Sequence, residues 1–255
     1  MIVNEEGLAR VARSIGLGEL LQLGRGEELT GGRDKQLVLW DLGSGKQLKV
    51  IDTRAPVMCA VFAPDGSSAL TCAGGWDLGP VAQLWSLETG QKLREFVGYP
   101  KSASVKTAVF SPDGTRLVVS VTGMSDLFVF EVATGKSLPP LKGADHVATS
   151  LAFSADGATV LVGITAAESE SALNLLDART GRQRGHARPG SGSINSVAFS
   201  PDGKWALGGG DDRLLHFYEL PSLRETKTLP GHRRELSAVA VMPDGHAVSA
   251  SRDGS

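Results

Sequence analysis

Five times along this chain an apolar run ends in the same hairpin signature: Phe62-Ala-Pro-Asp-Gly66, Phe110-Ser-Pro-Asp-Gly114, Phe153-Ser-Ala-Asp-Gly157, Phe199-Ser-Pro-Asp-Gly203 and Met242-Pro-Asp-Gly245. Proline presets φ and glycine supplies the positive φ of a tight reversal, so each copy reads as a turn between two antiparallel strands. The glycines lie 48, 43, 46 and 42 residues apart. A period of that size is one supersecondary unit repeated, and a small sheet has two faces that it cannot bury alone. The chain is therefore constrained to stack copies of one sheet.

Residues 194–220 show the unit most fully. Strands are expected at Ile194 to Phe199, Trp205 to Leu207 and Leu214 to Tyr218, with a second turn at Gly210-Asp211-Asp212-Arg213 and a fourth strand near Glu225 to Leu229. Two further markers keep step with the hairpins. One ends the third strand: Trp40-Asp41, Trp85-Ser86, Phe130-Glu131, Leu176-Asp177 and Tyr218-Glu219. The other is the turn after it, seen as Gly43-Ser44-Gly45-Lys46, Glu88-Thr89-Gly90-Gln91, Ala133-Thr134-Gly135-Lys136 and Arg179-Thr180-Gly181-Arg182.

At these residues the chain resembles the WD40-repeat family. Trp40-Asp41 matches the WD dipeptide, the other units depart from it, and Gly231-His232 stands where many family repeats open with Gly-His. The resemblance implies an all-β fold, a β-propeller of four-stranded antiparallel blades. It also implies that His232 hydrogen-bonds Asp253, the Asp of the following second turn. Blades are expected at 29–54, 55–100, 101–145, 146–190 and 191–233, with a half blade at 234–255. The expected ring is incomplete, about five blades plus a half, because the sixth unit stops before its third strand; the simplest reading is a fragment of a longer protein. Residues 1–28 are expected to form an irregular segment with a short helix from Glu5 to Ser14 and a degenerate first hairpin at Leu20 to Glu28.

The composition narrows function mainly by exclusion. A net charge of −2 argues against a nucleic-acid partner. No run approaches the roughly 18 apolar residues of a membrane span, so no membrane partner is expected. Glu5 and Glu6 stand where a secretory signal needs positive charge, which makes cytoplasmic localisation the expectation. His146, His186, His216, His232 and His246 fall on separate units without metal-ligand spacing. Gly208-Gly209-Gly210 lacks the Gly-Lys-Ser/Thr element of a phosphate loop and reads as close inter-blade packing. Asp34, Asp211 and Asp253 recur in one turn of different units, and such periodicity spreads them around a ring instead of pairing them for acid–base work. Together with Trp40, Asp41 and His232 they are assigned structural roles. No catalytic residue, cofactor or metal ligand is expected.

The informative variation lies in the loops. Units two and four carry extra residues between their second and third strands, Gly74 to Pro80 and Ala166 to Ser171. In a propeller these share one face with the inter-blade connectors, which collects Trp76, Tyr99, Glu168, Glu170, Arg188, Arg233 and Arg234 as candidate partner-binding residues. The leading expectation is a non-catalytic interaction scaffold binding a protein or peptide through that face. Its rival is an accessory or substrate-binding propeller domain of a longer enzyme. Finally, Cys59 and Cys72 flank the hairpin at Asp65-Gly66 and are expected as two neighbouring, buried, free thiols.

Overall fold

The computed structural model describes residues 19–23, 34–41, 44–73, 81–100, 103–142, 146–167, 170–189, 192–242 and 244–254. Among them there is no helix, and the strands form six antiparallel sheets. The first sheet holds β1 (Glu19–Leu23), β2 (Gln36–Asp41) and β3 (Lys46–Asp52). The second holds β4 (Cys59–Phe62), β5 (Ser68–Ala73), β6 (Val81–Ser86) and β7 (Lys92–Phe96). β8 (Val105–Phe110), β9 (Arg116–Val121), β10 (Leu127–Glu131) and β11 (Ser137–Leu141) make the third, and β12 (Ala148–Phe153), β13 (Thr159–Ala167), β14 (Glu170–Asp177) and β15 (Gln183–Ala187) the fourth. The fifth is β16 (Ile194–Phe199), β17 (Trp205–Gly210), β18 (Leu214–Glu219) and β19 (Arg224–Pro230); the sixth is the pair β20 (Leu236–Val241) and β21 (Ala247–Ser251). Within each sheet the strands follow in sequence order, so every sheet is a meander.

The hairpin signature does locally what its residues dictate. Gly66, Gly114, Gly157 and Gly203 take φ of 68–69° and Gly245 87°, the left-handed region that a side chain resists. The preceding Asp caps each turn: Asp65 accepts the N–H of Ser67 at 3.0 Å, and Asp202 that of Lys204 at 3.1 Å. Ser200 Oγ then donates to Asp202 at 2.6 Å and accepts the N–H of Trp205 at 2.9 Å, closing the reversal.

Each sheet packs on the next through that sheet's first strand: β4 on β1, β8 on β4, β12 on β8, β16 on β12 and β20 on β16. The core is accordingly divided into one apolar cluster per interface. Leu37, Leu39 and Ile51 meet Ala69, Trp85 and Leu87; Leu161, Leu173 and Leu175 meet Ile194, Val197 and Tyr218. Such an array derives its stability from nearest-neighbour interfaces. Hydrogen bonds between adjacent first strands repeat as well: Val197 N–H donates to Ser150 Oγ at 3.1 Å, and Val239 N–H to Ser196 Oγ at 3.0 Å. The glycine run works as close packing. A β-carbon on Gly209 would fall 2.7 Å from Leu236 Cδ2, and one on Gly210 would fall 1.9 Å from the Ser193 carbonyl oxygen. The described strands do not close into a ring.

β1 pairs along β2, from Glu19 opposite Asp41 to Leu23 opposite Leu37, and the remainder of the hairpin expected at Leu20 to Glu28 lies outside the described residues. Two expectations need correcting. The insertion at Ala166 to Ser171 is not a separate loop: β13 runs to Ala167 and β14 starts at Glu170, because the ladder extends through a register shift to pair Ala167 with Glu170. Cys59 and Cys72 are directly opposed, Cα to Cα 4.9 Å, and are joined as a disulfide, not free. The hairpin closes with Ala63 N–H on the Ser68 carbonyl at 2.9 Å, a register that sets the two cysteines face to face, close enough for the sulfurs to bond. The helix expected at Glu5 to Ser14 lies outside the described residues.

Candidate functional site

The loops gather at opposite ends of the strands. One end carries the Pro-Asp-Gly hairpins and the turns from third to fourth strand; the other carries the second turns and the connectors between sheets. At this second, loop end the recurrent aspartates hold backbone. Asp34 Oδ1 accepts the N–H of Gln36 at 3.2 Å. Asp211 accepts the N–H of Ser193 and the Asn195 side-chain amide, both at 2.9 Å, and that amide also donates to the Leu236 carbonyl at 3.0 Å. The second turn of the fifth sheet is thereby tied to the start of the sixth.

The connector ahead of β20 is held in the same manner. Asp253 Oδ2 accepts the N–H of Arg233 at 2.6 Å and lies 3.4 Å from His232 Nδ1, while His232 Nε2 reaches Ser249 Oγ at 2.8 Å. Ser251 Oγ donates to the Arg234 carbonyl at 3.0 Å. Arg252 pairs with Glu235 at 3.2 Å. Arg213 closes the second turn of the fifth sheet at a φ of 71°, unusual for a residue with a β-carbon. Arg213, Arg233 and Arg234 are exposed, and their guanidinium groups have no partner among the described residues. Arg188 differs, since its Nε donates to His186 Nε2 at 3.1 Å while His186 Nδ1 bonds Asn174 Oδ1 at 2.5 Å.

Tyr99 is not an exposed anchor. The connector bends at Gly98, φ 117°, and the ring packs on Phe128 at 5.1 Å and Phe130 at 5.5 Å in the core between the second and third sheets. Its buried hydroxyl has no partner, and burial holds the phenol well above its ordinary pKa. Trp76 and Glu168 lie outside the described residues, and Glu170 begins β14.

The marker at the end of the third strand is a buried column whose chemistry changes from sheet to sheet. In the second sheet Trp85 Nε1 donates to Thr71 Oγ1 at 2.8 Å. The equivalent pairs are Val119 with Phe130, Val162 with Leu176, and Gly208 with Tyr218, so the polar link is lost there and the Tyr218 hydroxyl is buried without a partner. Trp40 Nε1 is likewise enclosed and unpartnered, while Asp41 caps its own turn through Ser44 N–H at 2.6 Å. Sequence reasoning missed a second buried device in the fifth sheet. His216, in the middle of β18, places Nε2 2.7 Å from Asp212 and Nδ1 2.6 Å from Glu225. Burial works against the imidazolium, but the two carboxylate bonds outweigh it and the pKa is raised above 6.5.

At the hairpin end, a cleft of about 680 Å³ between the third and fourth sheets is lined by Asp113, Arg116, Asp156, Asp177 and Arg184 among others. Its acids are engaged by their own turns. Asp113 takes Ser111 Oγ at 2.5 Å, Asp156 takes Ser154 Oγ at 2.6 Å, and Asp177 is held far below the usual carboxylate range by Arg184 and then by Thr180. The Ser-x-Asp spacing at Ser111 to Asp113 and Ser154 to Asp156 was the available signal. Among the described residues no cluster of His, Cys, Asp and Glu could hold a metal, and no helix is long and apolar enough to cross a membrane.

Consecutive antiparallel meanders, each stacked on the next through its first strand, define a propeller-type repeat protein. The family model described as WD domain, G-beta repeat, matches residues 179–219 and 223–255, each match running from the outer strand of one sheet into the next. Those two stretches are thus similar to WD40 repeats. It is 29% identical over 196 residues to the WD repeat-containing protein SL1-17 of Schistosoma mansoni, covering 75% of this chain and 61% of that one. It is 24% identical over 245 residues to eukaryotic translation initiation factor 3 subunit I of Bos taurus, covering 87% and 72%. A short stretch of 40 residues is 68% identical to ribonuclease 3 of Myxococcus xanthus, covering 16% of this chain and 15% of that enzyme. The chain spans less than two thirds of the length of the first curated relatives that it matches, 61% and 15% for the first two.

Proposed function

We propose that the protein is a non-catalytic interaction scaffold that binds a protein or peptide partner through its loop face. The observation that carries this reading is the loop end itself: among the described residues Arg213, Arg233 and Arg234 are exposed and without a side-chain partner, on backbone held by Gly210, Asp253 and Ser251. A rigid scaffold presenting unengaged arginines has the anatomy of a recognition surface. Similarity to a protein named as a subunit of translation initiation factor 3 supports a role in assembly.

Site-specific photocrosslinking tests this. A photoreactive phenylalanine analogue replaces Arg213 in one variant and Asp156 in another, each irradiated in lysate of the source cells. Discrete adducts from position 213 alone are expected. Equal adducts from both positions, or adducts from position 156 alone, overturn the assignment of the binding face.

A further inference from the structure

Resting on that reading of the loop face, we infer that Arg213, Arg233 and Arg234 form a docking site for an acidic, carboxylate-rich segment of a protein partner. They belong to adjoining loops, the second turn of the fifth sheet and the connector into the sixth. The Asn195 amide links those loops by bonding Asp211 on one side and the Leu236 carbonyl on the other.

The backbone under each arginine is constrained. Arg233 N–H is held by Asp253 at 2.6 Å, the Arg234 carbonyl accepts from Ser251 Oγ at 3.0 Å, and Arg213 sits at φ 71° with its N–H on the Gly210 carbonyl at 3.3 Å. Lys35 takes the same left-handed conformation in the equivalent turn of the first sheet, φ 61°, so this geometry belongs to the repeated turn and fixes the backbone under the arginine. Ordering the connector is therefore no longer a cost of binding, which falls only on the guanidinium side chains.

The nearby acids decide what is displayed. Asp211 faces Ser193 and Asn195, Asp212 faces His216, Asp253 faces Arg233 N–H and His232, and Glu235 faces Arg252. These carboxylates cancel the long-range field of the arginines but turn their oxygens onto internal donors. Asp211 is itself exposed, but both its oxygens are bonded, so the donors left open to a ligand here are the guanidinium N–H groups. Such a surface recognises at short range, and the planar fork of arginine matches a carboxylate with two parallel hydrogen bonds. A nucleic acid is disfavoured: the chain carries a net charge of −2, and phosphate-backbone binding draws on about six to ten cationic contacts.

The test uses the full chain and three fluorescent probes read by anisotropy: a twelve-residue Glu/Asp-rich peptide, a Ser/Gly peptide of equal length, and a DNA duplex. The acidic peptide is expected to bind at low salt while the neutral peptide does not. Each single change to Ala should weaken that binding about two- to five-fold, and R213A/R233A/R234A by more than about ten-fold. The triple Lys variant keeps charge without the fork and should fall between. Lys227→Ala, on the outer strand β19, is the control expected to bind normally. Acidic-peptide binding that is absent, or unchanged in the triple variant with an unaltered melting curve, overturns the inference while leaving the photocrosslinking result to judge the scaffold reading. Tighter binding of the duplex than of the acidic peptide overturns it in favour of nucleic acid.

Discussion

Trp85 and Tyr218 occupy the same slot of two different sheets, and conservative removal of the polar atom from each should move stability in opposite directions. Trp85 is buried and its Nε1 donates to Thr71 Oγ1 at 2.8 Å. Trp85→Phe deletes that bond, about 1 kcal/mol net, and shrinks a packed ring, about 1–2 kcal/mol for the lost apolar surface and the cavity left. The expected loss is about 2–3 kcal/mol. Tyr218 is fully enclosed, and its hydroxyl has no partner because Gly208 stands where the second sheet has Thr71. Burial first, then the carboxylates of Glu225 and Asp212, raise the phenol well above its usual pKa, so the group stays a protonated donor without an acceptor. Tyr218→Phe removes a desolvation cost of about 1–3 kcal/mol and loses one small packed atom, for an expected gain of about 0.5–2 kcal/mol. Urea titrations followed by circular dichroism measure both, with the slope compared because a repeat array can unfold in stages. A loss of stability in Tyr218→Phe equal to that in Trp85→Phe would refute the reasoning.

Two other perturbations bear on buried chemistry. The raised His216 pKa means that its contribution is fully present below its unfolded value near 6.5 and is lost as pH rises through the higher folded value, so stability should decline on the alkaline side and flatten in His216→Gln, measured by urea midpoints from pH 6 to 9. The Cys59–Cys72 bond closes a short loop of sequence separation 13; under denaturing, non-reducing conditions no thiol should alkylate, and reduction should cost at most about 3 kcal/mol, whereas two alkylated thiols before reduction would contradict the bond.

What the residues dictated locally could be read without coordinates. Pro-Asp-Gly turns act through φ preferences and short-range capping, so Gly66, Gly114, Gly157, Gly203 and Gly245 announced the hairpins, their period and the stacked sheets. That Cys59 and Cys72 are neighbours followed from the hairpin between them, whereas their direct opposition was decided by the register of the ladder. Tertiary structure decided whatever depends on a neighbour from another strand or another repeat. Tyr99 looked like a surface anchor, but Phe128 and Phe130 of the next sheet enclose it. Asp211 recurs like Asp34, yet it also binds Asn195, which bonds Leu236 of the following sheet. His216 found carboxylates on a turn and on an outer strand, Asp212 and Glu225. The physical reason is range: turn chemistry acts over a few bonds along the chain, whereas burial and pairing depend on register and on which side chains a second sheet brings within reach.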